Sequence, residues 1–227
     1  MSEPNTGVFE KLVGRRVRDV YGRYVGYVVG LVADSLGNLV SIGVDCGDRG
    51  FCEFPSDQVR FENDLVILIP QWKAGMERLM KESMVVERRI QAVEELFHEG
   101  EISSEEREEA VKHYMNKLSE LQREMEKLKA IAGKRMEELE EQERRLKTFL
   151  TNLKIQYKSG EINAEVFKSA SQFAALMLDK IRRERDDIVN LGSPSSYVEE
   201  QGYESESTLK VEENSERSGW LTRILKK

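Results

Sequence analysis

Four prolines, two cysteines, two histidines and two tryptophans are thinly spread over 227 residues, and each scarcity excludes something. Two cysteines and two histidines are too few for an ordinary four-ligand zinc site, so no metal and no cofactor is expected. No apolar run approaches the ~20 residues of a membrane span. The first residues, Met1-Ser-Glu-Pro-Asn-Thr6, lack a charged-then-apolar leader, which predicts a cytoplasmic protein. Catalytic signatures are missing as well. There is no Gly-x-Ser-x-Gly, and Ala132-Gly133-Lys134 lacks the other elements of a phosphate loop. An enzyme is therefore not expected. Aromatics make up 7%, charged residues 34%, and the mean hydropathy is −0.55, too polar for one compact core of this length. The net charge of −7 argues against a general nucleic-acid coat.

What is present falls into segments of different texture. Residues 8–71 read as strands: about six short apolar stretches are separated by glycine-bearing turns such as Tyr21-Gly22, Ser35-Leu-Gly37-Asn38 and Gly47-Asp-Arg-Gly50. So many strands in so few residues predict a small β-barrel, because closure removes sticky edges.

Residues 72–191 read as helix, with no proline between Pro70 and Pro194 and with 23 basic and 25 acidic residues over 72–190. Apolar positions follow a heptad rhythm in steps of four and three. Trp72, Met76, Leu79, Val86, Ile90, Val93 and Phe97 form one series, and Val111 to Tyr157 carry a second, longer one. A third, looser series runs Val166, Ala170, Phe173, Met177, Ile181 and Ile188 along the last helix. The interruptions repeat. Phe97-His-Glu-Gly-Glu-Ile-Ser-Ser-Glu105 matches Tyr157-Lys-Ser-Gly-Glu-Ile-Asn-Ala-Glu165 at an offset of 60, each with a glycine for a helix end and Ser103 or Asn163 as the next N-cap. Helices of about 73–98, 103–157 and 163–190 follow, a long antiparallel coiled coil in which the outer two fold back along the middle one. On the middle helix Tyr114, Leu121 and Leu128 add an apolar column at seven-residue spacing, a candidate oligomerisation surface.

Residues 192–216 hold seven serines and threonines and seven glutamates, the composition of an acidic, disordered linker. The sign then reverses. Arg217 to Lys227 carries four positive charges and no acid, with Trp220, Leu221, Ile224 and Leu225 on one helical face and Lys226 and Lys227 beside them. A short basic-apolar peptide on a long tether reads as a partner-binding segment, with an acidic membrane as the rival surface and packing on the chain's own helices as the bland reading. The fold class is thus α+β: barrel, antiparallel coiled coil, disordered tail.

Other residues carry weaker signals. Arg15, Arg16, Arg18 and Arg23 are the basic cluster of the strand segment and a candidate contact for an anionic surface, DNA included. Cys46 and Cys52 flank the Gly47–Gly50 turn, and both a bridge across the hairpin and two semi-buried thiols fit that placement. His98 and His113 have no neighbouring ligand pattern and read as capping or surface residues.

The stretch Leu12-Val-Gly-Arg-Arg-Val-Arg-Asp-Val-Tyr-Gly-Arg-Tyr-Val-Gly26 resembles the opening of a PRC-barrel, with Gly14, Val17, Asp19, Gly22 and Gly26 at the pattern positions. Joined to Ile69-Pro-Gln-Trp72, the doubled Gly-Glu-Ile turns and the tethered basic-apolar end, the chain resembles the archaeal cell division protein A (CdvA) family. That resemblance implies a non-enzymatic scaffold that polymerises at the inner face of the membrane at the division site. It also implies recruitment of the ESCRT-III-like protein CdvB through the C-terminal peptide. The alternative is a DNA-associated coiled-coil filament protein of chromosome organisation or segregation.

Overall fold

The computed structural model describes residues 12–62 and 65–191. Six strands come first: β1 (Arg16–Asp19), β2 (Tyr24–Ala33), β3 (Leu39–Asp45), β4 (Phe51–Pro55), β5 (Val59–Glu62) and β6 (Leu65–Leu68). Local chemistry sets the first two hairpins. At the β1–β2 turn the Asp19 carboxylate accepts from the backbone N–H of Tyr21 (3.0 Å) and Arg23 (2.7 Å), with Gly22 at φ 77°. At the β2–β3 turn Asp34 does the same for Leu36 (2.9 Å) and Asn38 (2.8 Å), with Gly37 at φ 83°.

The strands form one mixed sheet in the order β4-β3-β2-β1-β6-β5, in which β1 and β6 pair in parallel and every other pair is antiparallel. This corrects the expected barrel: the sheet is open, because its edge strands β4 and β5 do not pair with each other. They are consecutive in the chain. Pro55 closes β4 without an N–H to donate, and Ser56–Gln58 coil into a 3-10 turn that carries the chain over to pair with β6 instead. Val17, Val28, Ile42, Val44, Cys46, Val66 and Leu68 make the core on the inner side of the sheet.

Three helices follow: α1 (Gln71–His98), α2 (Ser104–Lys158) and α3 (Ala164–Val189). The two interhelical turns are built alike. Gly100 (φ 75°) and Gly160 (φ 79°) adopt the left-handed conformation. Around them Gly100 N–H bonds Phe97 O and Glu101 N–H bonds Leu96 O, as Gly160 does to Tyr157 and Glu161 to Gln156, which is the Schellman arrangement. Ser103 and Glu106 then cap α2 reciprocally, and the Asn163 side chain caps α3 at Val166 N–H. A ring contact closes each tip: Arg107 lies 5.1 Å over the Phe97 ring, and Tyr157 stacks on Phe167 at 4.7 Å.

α1 packs antiparallel on the first half of α2, and α3 on the second half. Trp72, Met76, Leu79, Val86 and Ile90 of α1 are buried, as are Leu118, Leu121, Ala132, Leu139 and Leu153 of α2. The stripe of α3 differs from the expected one. Its inward residues are Phe167, Ser171, Ala174, Leu178, Ile181, Arg185 and Ile188, while Val166, Phe173 and Met177 face outward. The outward stripe turns charged at Lys180, Glu184 and Asp187, whereas the inward one keeps strict heptad spacing and holds Ile181 and Ile188 of the expected series. The start of α1, the middle of α2 and the end of α3 converge on a second small core of Tyr21, Trp72 and Ala132, against which Val20, Ile188 and Leu191 pack.

Candidate functional site

The strongest polar constellation among the described residues lies at that convergence. Glu184 on α3 is 2% exposed, a carboxylate that must be paired to stay in such a place. Arg135 of α2 holds both its oxygens, Nε to Oε1 at 2.8 Å and Nη2 to Oε2 at 3.2 Å, and Arg23 of the β1–β2 turn bonds Oε2 as well. Arg23 also donates to the Asp19 carboxylate (3.3 Å) and to the Lys180 carbonyl (3.1 Å), while Lys180 Nζ returns a bond to the Gly22 carbonyl (2.8 Å). One turn further along α3, Asp187 Oδ2 accepts from the Tyr21 hydroxyl (2.8 Å) and from Lys73 Nζ of α1 (2.9 Å).

Sheet, α1, α2 and α3 are therefore cross-linked by one network around Tyr21–Arg23. Burial first, and the adjacent Asp187 second, hold the Tyr21 hydroxyl well above its usual range, and the bond to Glu184 raises Arg135 further. Both oxygens of Glu184 already accept from guanidinium groups. The cluster is chemically a clamp, in which each carboxylate is held by a cation of another element. No sequence signal singled out Glu184 or Asp187, because their partners lie far away in the chain.

Of the residues proposed for an anionic surface, Arg23 is thus turned inward to the clamp. Arg16 and Arg18 alternate outward on β1, opposite Tyr27 and Ile67, and Arg15 is half-buried just before the strand. The column Tyr114, Leu121, Leu128 lies toward α1. Leu121 is 2% exposed, Leu128 packs where a side chain on Gly75 would sit, and Tyr114 is half-buried beside the His113 ring. His98 ends α1, and His113 is exposed on α2. Cys46 and Cys52 are free thiols; burial first, then Cys52, pushes the Cys46 thiol up to about 11. Among the described residues no group of His, Cys, Asp and Glu could hold a metal ion, and no helix is long and apolar enough to cross a membrane. The linker 192–216 and the peptide residues Trp220, Leu221, Ile224, Leu225, Lys226 and Lys227 lie outside the described residues.

Exposed apolar side chains gather on the second hairpin. Phe149, Ile155, Val166, Phe173, Leu176 and Met177 are each more than half exposed, a larger unpartnered surface than isolated surface apolar residues account for.

Comparison with known proteins gives two findings. The model of the CdvA-like coiled-coil domain matches residues 71–218. Cell division protein A of Sulfolobus acidocaldarius is 28% identical over 181 residues, which cover 80% of this chain and 76% of that protein.

Proposed function

The chain belongs to the CdvA-like coiled-coil family, and from that premise we propose that it is a non-enzymatic, self-associating scaffold of cell division that recruits CdvB-like ESCRT-III subunits through its C-terminal peptide. The observation that carries this reading is the layout of the helices. A 55-residue α2, shared by two hairpins, leaves both tips free, and Leu191 at the end of α3 lies at the central junction beside the sheet. Helices paired in this way offer long lateral faces for self-association. A peptide carried beyond residue 191 would then be displayed once per subunit along a polymer.

Display of that kind makes weak contacts sufficient, because a partner held by one peptide meets the next at high effective concentration. Trp220, Leu221, Ile224 and Leu225 supply the apolar anchors, and Lys226 and Lys227 the charge that chooses an acidic partner. The scaffold works at the inner face of the membrane at the division site, with the basic peptide and its partners as the attachment.

The test is deletion of 217–227 in the full chain. Binding of CdvB-like subunits should be lost, while the sedimentation profile stays that of the intact protein. Equal binding by the truncated chain would overturn the assignment of the peptide.

A further inference from the structure

The offset of 60 residues relates more than the two turns. Met76, Leu79 and Leu118 recur as Met136, Leu139 and Leu178, and Leu121 is answered by Ile181. Burial follows the same offset: residues 101–110 and 161–170 alternate between exposed and half-buried in the same order. The two hairpins are copies of one pattern.

One face breaks the correspondence. It is formed by the residues that immediately precede the inward positions, and in an antiparallel hairpin such residues of both helices point to the same side. On the first hairpin this face carries exposed Arg89, Glu106, His113 and Lys117, with Val85 and Leu96 less exposed at 39% and 37%. On the second hairpin the same four positions are Phe149, Val166, Phe173 and Met177, at 53%, 51%, 69% and 56% exposure. Four apolar side chains more than half exposed stand where the first copy has polar ones, and they mark the second copy for burial against something.

The spacing indicates what covers it. Val166, Ala170, Phe173 and Met177 step by four, three and four, the rhythm that packs against another helix. The stripe is also complementary to itself. Laid antiparallel on a second copy, it sets Val166 against Met177 and Ala170 against Phe173, so that each ring meets the other copy's small residue. A parallel arrangement would crowd ring on ring and leave methyl facing methyl. With Leu176 on the flank, complete burial of these side chains would remove up to about 1,000 Å² from water over both copies, the threshold for a specific interface. The same face continues along α3 as Lys180, Glu184 and Asp187, which the Tyr21–Arg23 turn already covers. A second copy would extend an existing interface.

We infer that the α3 face centred on Ala170 and Phe173 is a self-association site for a second copy of this chain, paired antiparallel about a two-fold axis. This rests on the self-associating reading above and names the surface that performs it.

Sedimentation of the full chain over a concentration series tests it. Phe173→Asp should raise the concentration of half-association at least about 30-fold, with helicity by circular dichroism unchanged because the side chain is exposed. His113→Asp, at the equivalent position of the first hairpin, should leave association as it was. Ala170→Phe and Phe173→Ala should each weaken association, and the double variant, which exchanges large for small across the axis, should restore it. If Phe173→Asp associates like the parent, or if both single variants weaken assembly and the double variant fails to rescue it, the proposal is overturned while self-association stands. If the parent chain remains a monomer throughout, the self-associating reading itself fails.

Discussion

Replacing Glu184 by glutamine tests how the sheet is held to the helices. The substitution keeps the shape and removes the charge that Arg23 and Arg135 share. At an effective dielectric constant near 20, a pair of unit charges 4 Å apart attracts by about 4 kcal/mol, and breaking a buried pair by deleting one partner costs about 3–5 kcal/mol. Two features reduce that figure here. The side chains of Arg23 and Arg135 are 24% and 30% exposed, so water takes up part of the lost interaction. Each also keeps a second carboxylate, Asp19 at 3.3 Å for Arg23 and Glu138 at 2.7 Å for Arg135. A net loss of about 2 kcal/mol remains, which for a chain of this size lowers the melting temperature by about 4–8 °C. Thermal melts followed by far-UV circular dichroism measure it, with exposed Glu137→Gln as the control. A Glu184→Gln melt within about 1 °C of that control would refute the clamp as a source of stability and leave the small core around Trp72 as the attachment.

Two further outcomes follow from close contacts. Gly26→Ala places a Cβ 1.8 Å from the backbone oxygen of Asp45 on β3, whereas a Cβ at Gly30 meets nothing within 4 Å. Chemical denaturation should show more than about 3 kcal/mol lost at position 26 and under about 1 kcal/mol at position 30; equal losses would disprove the contact. Cys46, with its thiol pushed up to about 11 from an ordinary 9.0, carries about 100-fold less thiolate at pH 8 than an unperturbed cysteine. Alkylation read by mass spectrometry should therefore label Cys52 well before Cys46. The stability from the buried neutral thiol should be complete below pH 9 and lost as pH rises from 9 to 11, because only the unfolded chain ionises in that window.

Legibility in the sequence followed the range of the interaction. The turns at Gly100 and Gly160, the capping residues Ser103 and Asn163, and the inward stripe of α1 all depend on neighbours within about four residues. Periodicity and composition express such neighbours directly. The open sheet did not show, because strand count and turn chemistry are the same whether or not the edges meet. Pro55 and the 3-10 turn after it decide that matter together with the choice of β6 as partner for β5.

The last helix shows the limit most clearly. Two stripes with heptad spacing run along α3, one residue apart. Over the first three turns apolarity favours Val166, Ala170, Phe173 and Met177 as the buried one. The structure turns Phe167, Ala174 and Leu178 inward instead, together with the expected Ile181 and Ile188, and leaves Val166, Phe173 and Met177 exposed. By itself the sequence determined where helices begin, end and reverse, since hydrogen bonds within one turn of chain decide that. Only the tertiary structure decided which faces meet, and that Glu184 would close an ion cluster with Arg23 and Arg135, since these depend on groups brought together from 49 and 161 residues away.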